Sequence, residues 1–203
     1  MEGHLHIAGG ERVAIAHKHP GPAERASRFQ ALFADEEAFR AWYEQALQRV
    51  YSFVLVRCGG VVSDAMELTQ ETFVEATRSR MRYDGRADPV TWICGIARNT
   101  IADSYRRKRR DELRRFSPLH DETDEPEVSV PEPGGEVDAR EAVFSALRSI
   151  PHSQGLVLAL HYLDELPMRE IARLIGRSES SVESLLSRGR ESFRRAYSAA
   201  EVA

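Results

Sequence analysis

The sequence predicts an all-α protein built as two small helical domains joined by a flexible acidic linker, and three observations carry that prediction. Apolar residues recur three or four positions apart over most of the chain, the spacing of a helix face, and no strand pattern or fixed-period repeat competes with it. Residues 117–137 combine Pro118, Pro126, Pro131 and Pro133 with a one-sign run of acids, a composition that buries too little apolar surface to offset the entropy of ordering. A length of 203 residues accommodates two domains, which commonly run to roughly 100 residues each.

Taken in order, residues 1–30 hold Gly9-Gly10, Pro20-Gly21-Pro22 and four histidines without a sustained apolar period, and read as a flexible N-terminal extension. From Asp35 onward Phe39, Tyr43, Ala46, Leu47, Val50 and Val54 line one helix face, which ends at Gly59-Gly60. Asp64 with Glu67 has the spacing of a capping box, and Ala65, Leu68, Thr72, Phe73 and Ala76 line the buried side of the helix that follows. After the turn-rich interval 82–89, Trp92, Ile93, Ile96, Ala97, Thr100 and Ile101 form the stripe of a third helix that runs into arginines. These elements make a first domain at residues 31–116.

The helical pattern resumes at Asp138, paired with Glu141 as a second capping box, and Val143, Ala146, Leu147 and Ile150 follow before Pro151. Leu156, Leu160 and Leu163 mark the next helix. Pro167 suits the first position of a short one, Gly176 ends it, and Ser178 caps a last helix reaching about Tyr197. The second domain spans residues 138–198.

Composition narrows the function classes. The chain is 42% hydrophobic and 30% charged, and its longest nearly apolar stretch, residues 155–163, is far shorter than the roughly 20 residues a membrane span needs. Met1 is followed by Glu2, Gly3 and His4 rather than by a basic stretch and an apolar core, so a cytosolic protein is expected. Cys58 and Cys94 have no metal-ligand spacing, and the seven histidines are scattered or sit in the leader, so neither a metal site nor a cofactor is expected. The net charge of −4 conceals strong segmentation: residues 98–115 carry eight basic side chains against three acids, whereas residues 117–139 carry eight acids and no Lys or Arg.

Two motifs bear on function. Ile171-Ala172, Gly176, Val182 and Leu185 have the spacing of a helix-turn-helix, in which a small residue lets the helices cross and Gly permits the turn. Val182 and Leu185 then hold the second helix to the core and leave Glu179, Ser180, Ser181, Glu183, Ser184, Ser187 and Arg188 exposed, the early ones toward base edges. Arg188, Arg190, Arg194 and Arg195 are placed for phosphates. The other motif runs from Arg98 to Arg110, where a basic helix surface with Trp92 and Tyr83 nearby suits backbone binding and base stacking. Read singly, the basic run equally describes a solvated helix end, and the first motif, less readily, an ordinary antiparallel helix pair with a solvated basic end; the combination points to nucleic acid.

Over residues 35–197 these stretches resemble the extracytoplasmic-function (ECF) group of the sigma-70 family. Asp64-Ala65-Met66-Glu67-Leu68-Thr69-Gln70-Glu71-Thr72-Phe73 is similar to region 2.2, which implies that Asp64, Glu67, Gln70 and Glu71 dock on the β′ clamp helices of RNA polymerase core. Thr91-Trp92-Ile93-Cys94-Gly95-Ile96-Ala97-Arg98-Asn99, followed by Asp103 and the arginines, resembles regions 2.3 and 2.4. This implies opening and reading of the −10 element by Trp92, Arg98, Asn99, Asp103, Arg106, Arg107, Arg109 and Arg110, with Asn99 and the turn before Pro89 facing flipped bases. Ala146-Leu147-Arg148-Ser149-Ile150-Pro151, Glu170-Ile171-Ala172, Gly176 and the stretch from Ser181 to Arg190 resemble region 4. Reading of the −35 element by Arg177, Ser178, Ser180, Ser181, Glu183, Ser184, Arg188 and Arg190 is what that implies.

The implied fold is a sigma region 2 helical bundle and a region 4 helix-turn-helix, and the implied partners are polymerase core (β′ clamp helices and β flap), promoter DNA and an anti-sigma factor. By the same resemblance the linker threads through polymerase, while in the free protein its carboxylates are expected to cover the basic helices. Met66 stands where the family often has an acid, Glu75 where a basic residue is frequent, and Glu183 and Leu185 where a basic pair is common.

Two other classes compete. A helix-turn-helix regulator that binds operator DNA without acting as a polymerase subunit shares the second domain but leaves Gln70-Glu71 and the basic helix without a role. An enzyme needs a His-Glu-x-x-His, paired catalytic carboxylates, a phosphate loop or a nucleophile motif, and the sequence has none of these.

Overall fold

Asp35 starts the first long helix by accepting hydrogen bonds from the backbone N–H groups of Glu37 (3.0 Å) and Ala38 (3.1 Å), which satisfies two of the donors every helix start leaves open. In the computed structural model, residues 20–115 and 139–202 are described, and they form eight α-helices and two short 3-10 helices with no strand. These are α1 (Pro22–Ala31), α2 (Glu36–Arg57), α3 (Val62–Ser79), α4 (Pro89–Arg115), α5 (Ala139–Arg148), α6 (His152–Tyr162), α7 (Met168–Ile175) and α8 (Glu179–Val202). The predicted linker and the first capping residue of the second domain, Asp138, lie outside the described residues.

Three expectations are corrected. Residues 20–30, read as part of a flexible extension, contain α1: Pro22 at its first turn is pre-set for a helix, and Phe29 is buried to 2% exposure. Phe29 stands edge-on to Trp42, Tyr83 and Trp92, with ring centroids 5.3, 5.0 and 5.8 Å away. Second, Asp64 does not cap α3. That helix begins at Val62 without a side-chain cap, and Asp64, in its first turn, pairs with Lys108. A carboxylate there is still favoured by the helix dipole. Third, Pro167 precedes α7 as its extended N-cap residue rather than opening it.

The predicted punctuation at Gly59-Gly60, Gly176 and Ser178 stands, while the last helix runs beyond Tyr197 to Val202. Gly59 and Gly60 close α2 with φ of +64° and +78°, a left-handed turn that glycine adopts without strain. Gly176 ends α7 at φ +68°, and the Ser178 hydroxyl accepts from the Ser181 N–H (3.2 Å) at the start of α8.

Helices α2, α3 and α4 pack as one bundle around Val50, Val54, Ala65, Phe73, Ile93 and Ala97. Helices α5 to α8 pack around Leu156, Leu160, Ile171, Val182 and Leu185. The two bundles also touch: α2 meets α6 and α4 meets α7, so the buried apolar residues form one continuous cluster.

Candidate polymerase and promoter interface

Helical periodicity sorts α3 into two faces. Ala65, Leu68, Thr69, Thr72, Phe73 and Ala76 are buried, which turns Glu67 and Gln70 outward and leaves Asp64 and Glu71 part-exposed. Glu67, Gln70 and Glu71 line one wall of an open groove of about 860 Å³, and Asn99, Asp103 and Arg107 of α4 line the other. Across it Arg107 pairs with Glu71 (3.3 Å), and nearby Lys108 reaches Asp64 (2.6 Å). Both pairs are solvent-accessible, so each is worth under roughly 1 kcal/mol and exchanges readily for another partner.

Along α4 the residues expected to meet the −10 element divide into three groups. Asn99, Arg107 and Arg110 are exposed on the groove and the helix end. Trp92 is half-buried in the aromatic cluster around Phe29, so one side of the ring is core and the other borders the groove. Arg98, Arg106 and Arg109 face the second bundle. Arg98 pairs with Asp164 (3.2 Å), Arg106 donates to the Leu174 carbonyl while pairing with Asp103, and Arg109 donates to the Gly176 carbonyl (3.2 Å). The Nε of Arg109 is buried at this seam with no acceptor. Thus the basic run covers the end of α7 and the turn of the helix-turn-helix.

Within that motif Ile171, Ala172, Ile175, Val182 and Leu185 are buried, as the spacing requires. Ser178, Ser180, Glu183, Ser184, Arg188 and Arg190 are exposed and Ser181 is half-buried. Arg177 is turned inward, donating to the Tyr105 hydroxyl (2.9 Å) and to Ser181 Oγ (3.3 Å). The residues expected to read the −35 element therefore form one accessible strip except at Arg177, whereas those expected to read the −10 element are brought together but half covered.

The most buried ionic contact was not legible in the sequence. Arg57, at the end of α2, pairs with Asp164, in the turn after α6, and its guanidinium also lies over the Phe53 ring. The partners are 107 residues apart and neither falls in a motif. Burial raises the thiol of Cys58 to about 12, assisted by Asp64, and also raises that of Cys94. Both cysteines are free, and the raised values keep their thiols protonated at neutral pH, which makes them weak nucleophiles.

A family model described as Sigma-70 region 2 matches residues 42–111, and one described as Sigma-70, region 4 matches residues 140–193. The chain belongs to the sigma-70 family. Its relatives place this sigma factor in the ECF group. The ECF RNA polymerase sigma factor BldN of Streptomyces coelicolor is 30% identical over 83% of this chain and 66% of its own length, so the chain spans just under two thirds of that relative. SigF of Caulobacter vibrioides is 26% identical over 81% of this chain and 88% of its own. Among solved structures, the sigma factor RpoE in complex with the anti-sigma factor NepR from Bartonella quintana matches with a TM-score of 0.45 and 20% identity, over 78% of this sigma factor and 95% of that chain. No helix among the described residues is long and apolar enough to cross a membrane, and none of their His, Cys, Asp and Glu side chains cluster as metal ligands.

Proposed function

We propose that this sigma factor directs core RNA polymerase to promoters by a division of labour between its two bundles, acting through binding and in the cytoplasm. Residues 31–116 attach to polymerase through Asp64, Glu67, Gln70 and Glu71 and engage the −10 element along α4; residues 138–198 dock α8 on the −35 duplex. The observation that carries the reading is the groove in which the polar face of α3 and the basic face of α4 meet. A regulator acting alone has no use for a carboxylate and amide surface beside its DNA-binding cations, since those acids repel phosphate. Arg98, Arg106, Arg109 and Arg177 join the DNA surface when the contact between α4 and α7 opens. An anti-sigma factor, the class of partner that NepR is for RpoE, belongs to the same proposal.

The test is transcription in vitro with purified core polymerase and a promoter library. The unmodified chain should direct defined start sites, Gln70→Ala should lower core affinity, and Arg106→Glu with Arg107→Glu should abolish opening while sparing core binding. Stable operator binding by the free chain with no gain of initiation would replace this reading by the direct regulator.

A further inference from the structure

The family model for the first bundle starts at residue 42, yet the loop that leads into α4 is held from outside that span. Residues 83–88 connect the turn after α3 to α4 and lie beside Trp92. Arg25 of α1 reaches across to them. Its Nε donates to the Gly85 carbonyl (2.7 Å), Nη2 to the Arg86 carbonyl (3.3 Å) and Nη1 to the Pro20 carbonyl (2.7 Å), so one guanidinium ties two loop carbonyls to the chain entering α1. Gly85 has φ +71°, and a Cβ there would lie 1.8 Å from the Pro22 carbonyl oxygen, which records how closely the loop backbone approaches α1. Phe29, one turn further along α1, fills the space between Tyr83 and Trp92 at either end of the loop. Tyr83 in turn donates to the Ala87 carbonyl (2.5 Å). The inner side of the loop is thereby fixed, and Asp84, Arg86 and Asp88 point outward.

We propose that Arg25 is a positioning residue for promoter reading: through Gly85 and Arg86 it holds the 83–88 loop in the shape that accepts the opened −10 bases. The inference rests on the sigma-factor reading above and adds to it a helix that the family model does not include. Its logic is pre-organisation. A loop of six residues left free to sample conformations must be ordered when bases bind, and that ordering subtracts from binding. Two hydrogen bonds to the loop from a planar, always charged group, itself anchored by a third to Pro20, remove that penalty in advance, and a lysine, whose three N–H donors all leave one nitrogen, cannot reproduce that fork in full.

The experiment uses the full chain assembled with core polymerase and compares the unmodified protein, Arg25→Gln and Arg25→Lys. Three quantities are read: affinity for core, reactivity of unpaired thymines across the −10 element, and base preference in transcription from a library randomised at that element. Arg25→Gln should retain core affinity while opening falls about tenfold, the loss expected from one charge-assisted hydrogen bond, and base preference flattens; Arg25→Lys should fall between. Circular dichroism and the retained core affinity separate this result from misfolding, which would remove both functions together. If Arg25→Gln opens promoters as the parent does with the same preference, or loses core affinity in parallel with opening, Arg25 only stabilises the bundle and the proposal fails alone. If the unmodified chain directs no initiation, the underlying reading fails and takes this one with it.

Discussion

The carboxylate of Asp164 and the guanidinium of Arg57 meet at 2.5 Å with their side chains 3% and 6% exposed, and this pair joins the two bundles. Arg98 makes a second contact to the same carboxylate. A buried ion pair returns little net stability because desolvation offsets attraction, but removing one partner strands a charge away from water. Asp164→Ala is therefore expected to destabilise the protein by about 3–5 kcal/mol, measured by urea unfolding. Arg57→Met with Asp164→Leu should recover most of that loss, which single substitutions of either residue will not.

Exposed cations on α4 should act on DNA through phosphate. Arg110→Ala, at the exposed end of the helix, is expected to weaken binding of the polymerase-bound protein to all promoters alike and to reduce the slope of log K against log salt by about one. Filter binding across a salt series reads this directly, and an unchanged slope would remove Arg110 from the interface.

Glu183 is exposed on the outer face of α8, and a carboxylate is able to accept a hydrogen bond from a cytosine amino group. Glu183→Gln should relax discrimination at one −35 position by about 1–3 kcal/mol, with core affinity unchanged. Competition among −35 variants is the measurement, and loss spread evenly over all positions would show a general electrostatic effect in its place.

The pH dependence follows from Cys58. Its folded-state value is raised from 9.0 to about 12, so the thiol stays neutral in the core while the unfolded chain ionises near 9. The stabilisation it contributes is fully present below pH 9 and declines as pH rises from there toward 12. Cys58→Ala should flatten that part of the stability curve, read as the urea midpoint against pH, at the expense of a small cavity.

Much of the architecture was legible because it is local. The stripe Phe39 to Val54, the stop at Gly59-Gly60 and the cap at Ser178 are short-range effects of spacing and backbone preference, and the helix-turn-helix follows from Ile171, Gly176 and Val182 in the same way. Helix α1 escaped notice because its one core residue, Phe29, takes its value from rings at positions 42, 83 and 92 rather than from neighbours. The Asp64 cap was misread because the helix starts earlier, at Val62, which puts Asp64 inside the first turn, where its carboxylate meets Lys108. Of the candidate site, the sequence showed which side chains carry the right chemistry; which of the arginines are occupied, and by what, depends chiefly on contacts between residues 36 to 72 positions apart.

The seam between α4 and α7 sets a geometric condition on initiation. Elements centred near −35 and −10 lie roughly 85 Å apart on a duplex that rises 3.4 Å per base pair, whereas here α4, which would read one, is hydrogen-bonded to α7 and to the turn leading into α8, which would read the other. One molecule in this arrangement keeps its two readers against each other and does not reach both elements at once. DNA affinity therefore contains a conformational equilibrium inside the chain, and the apparent constant falls short of the intrinsic one by the fraction of molecules already parted. Polymerase, by drawing the bundles to separate docking points, would act as a ruler that sets the distance between them before any base is read.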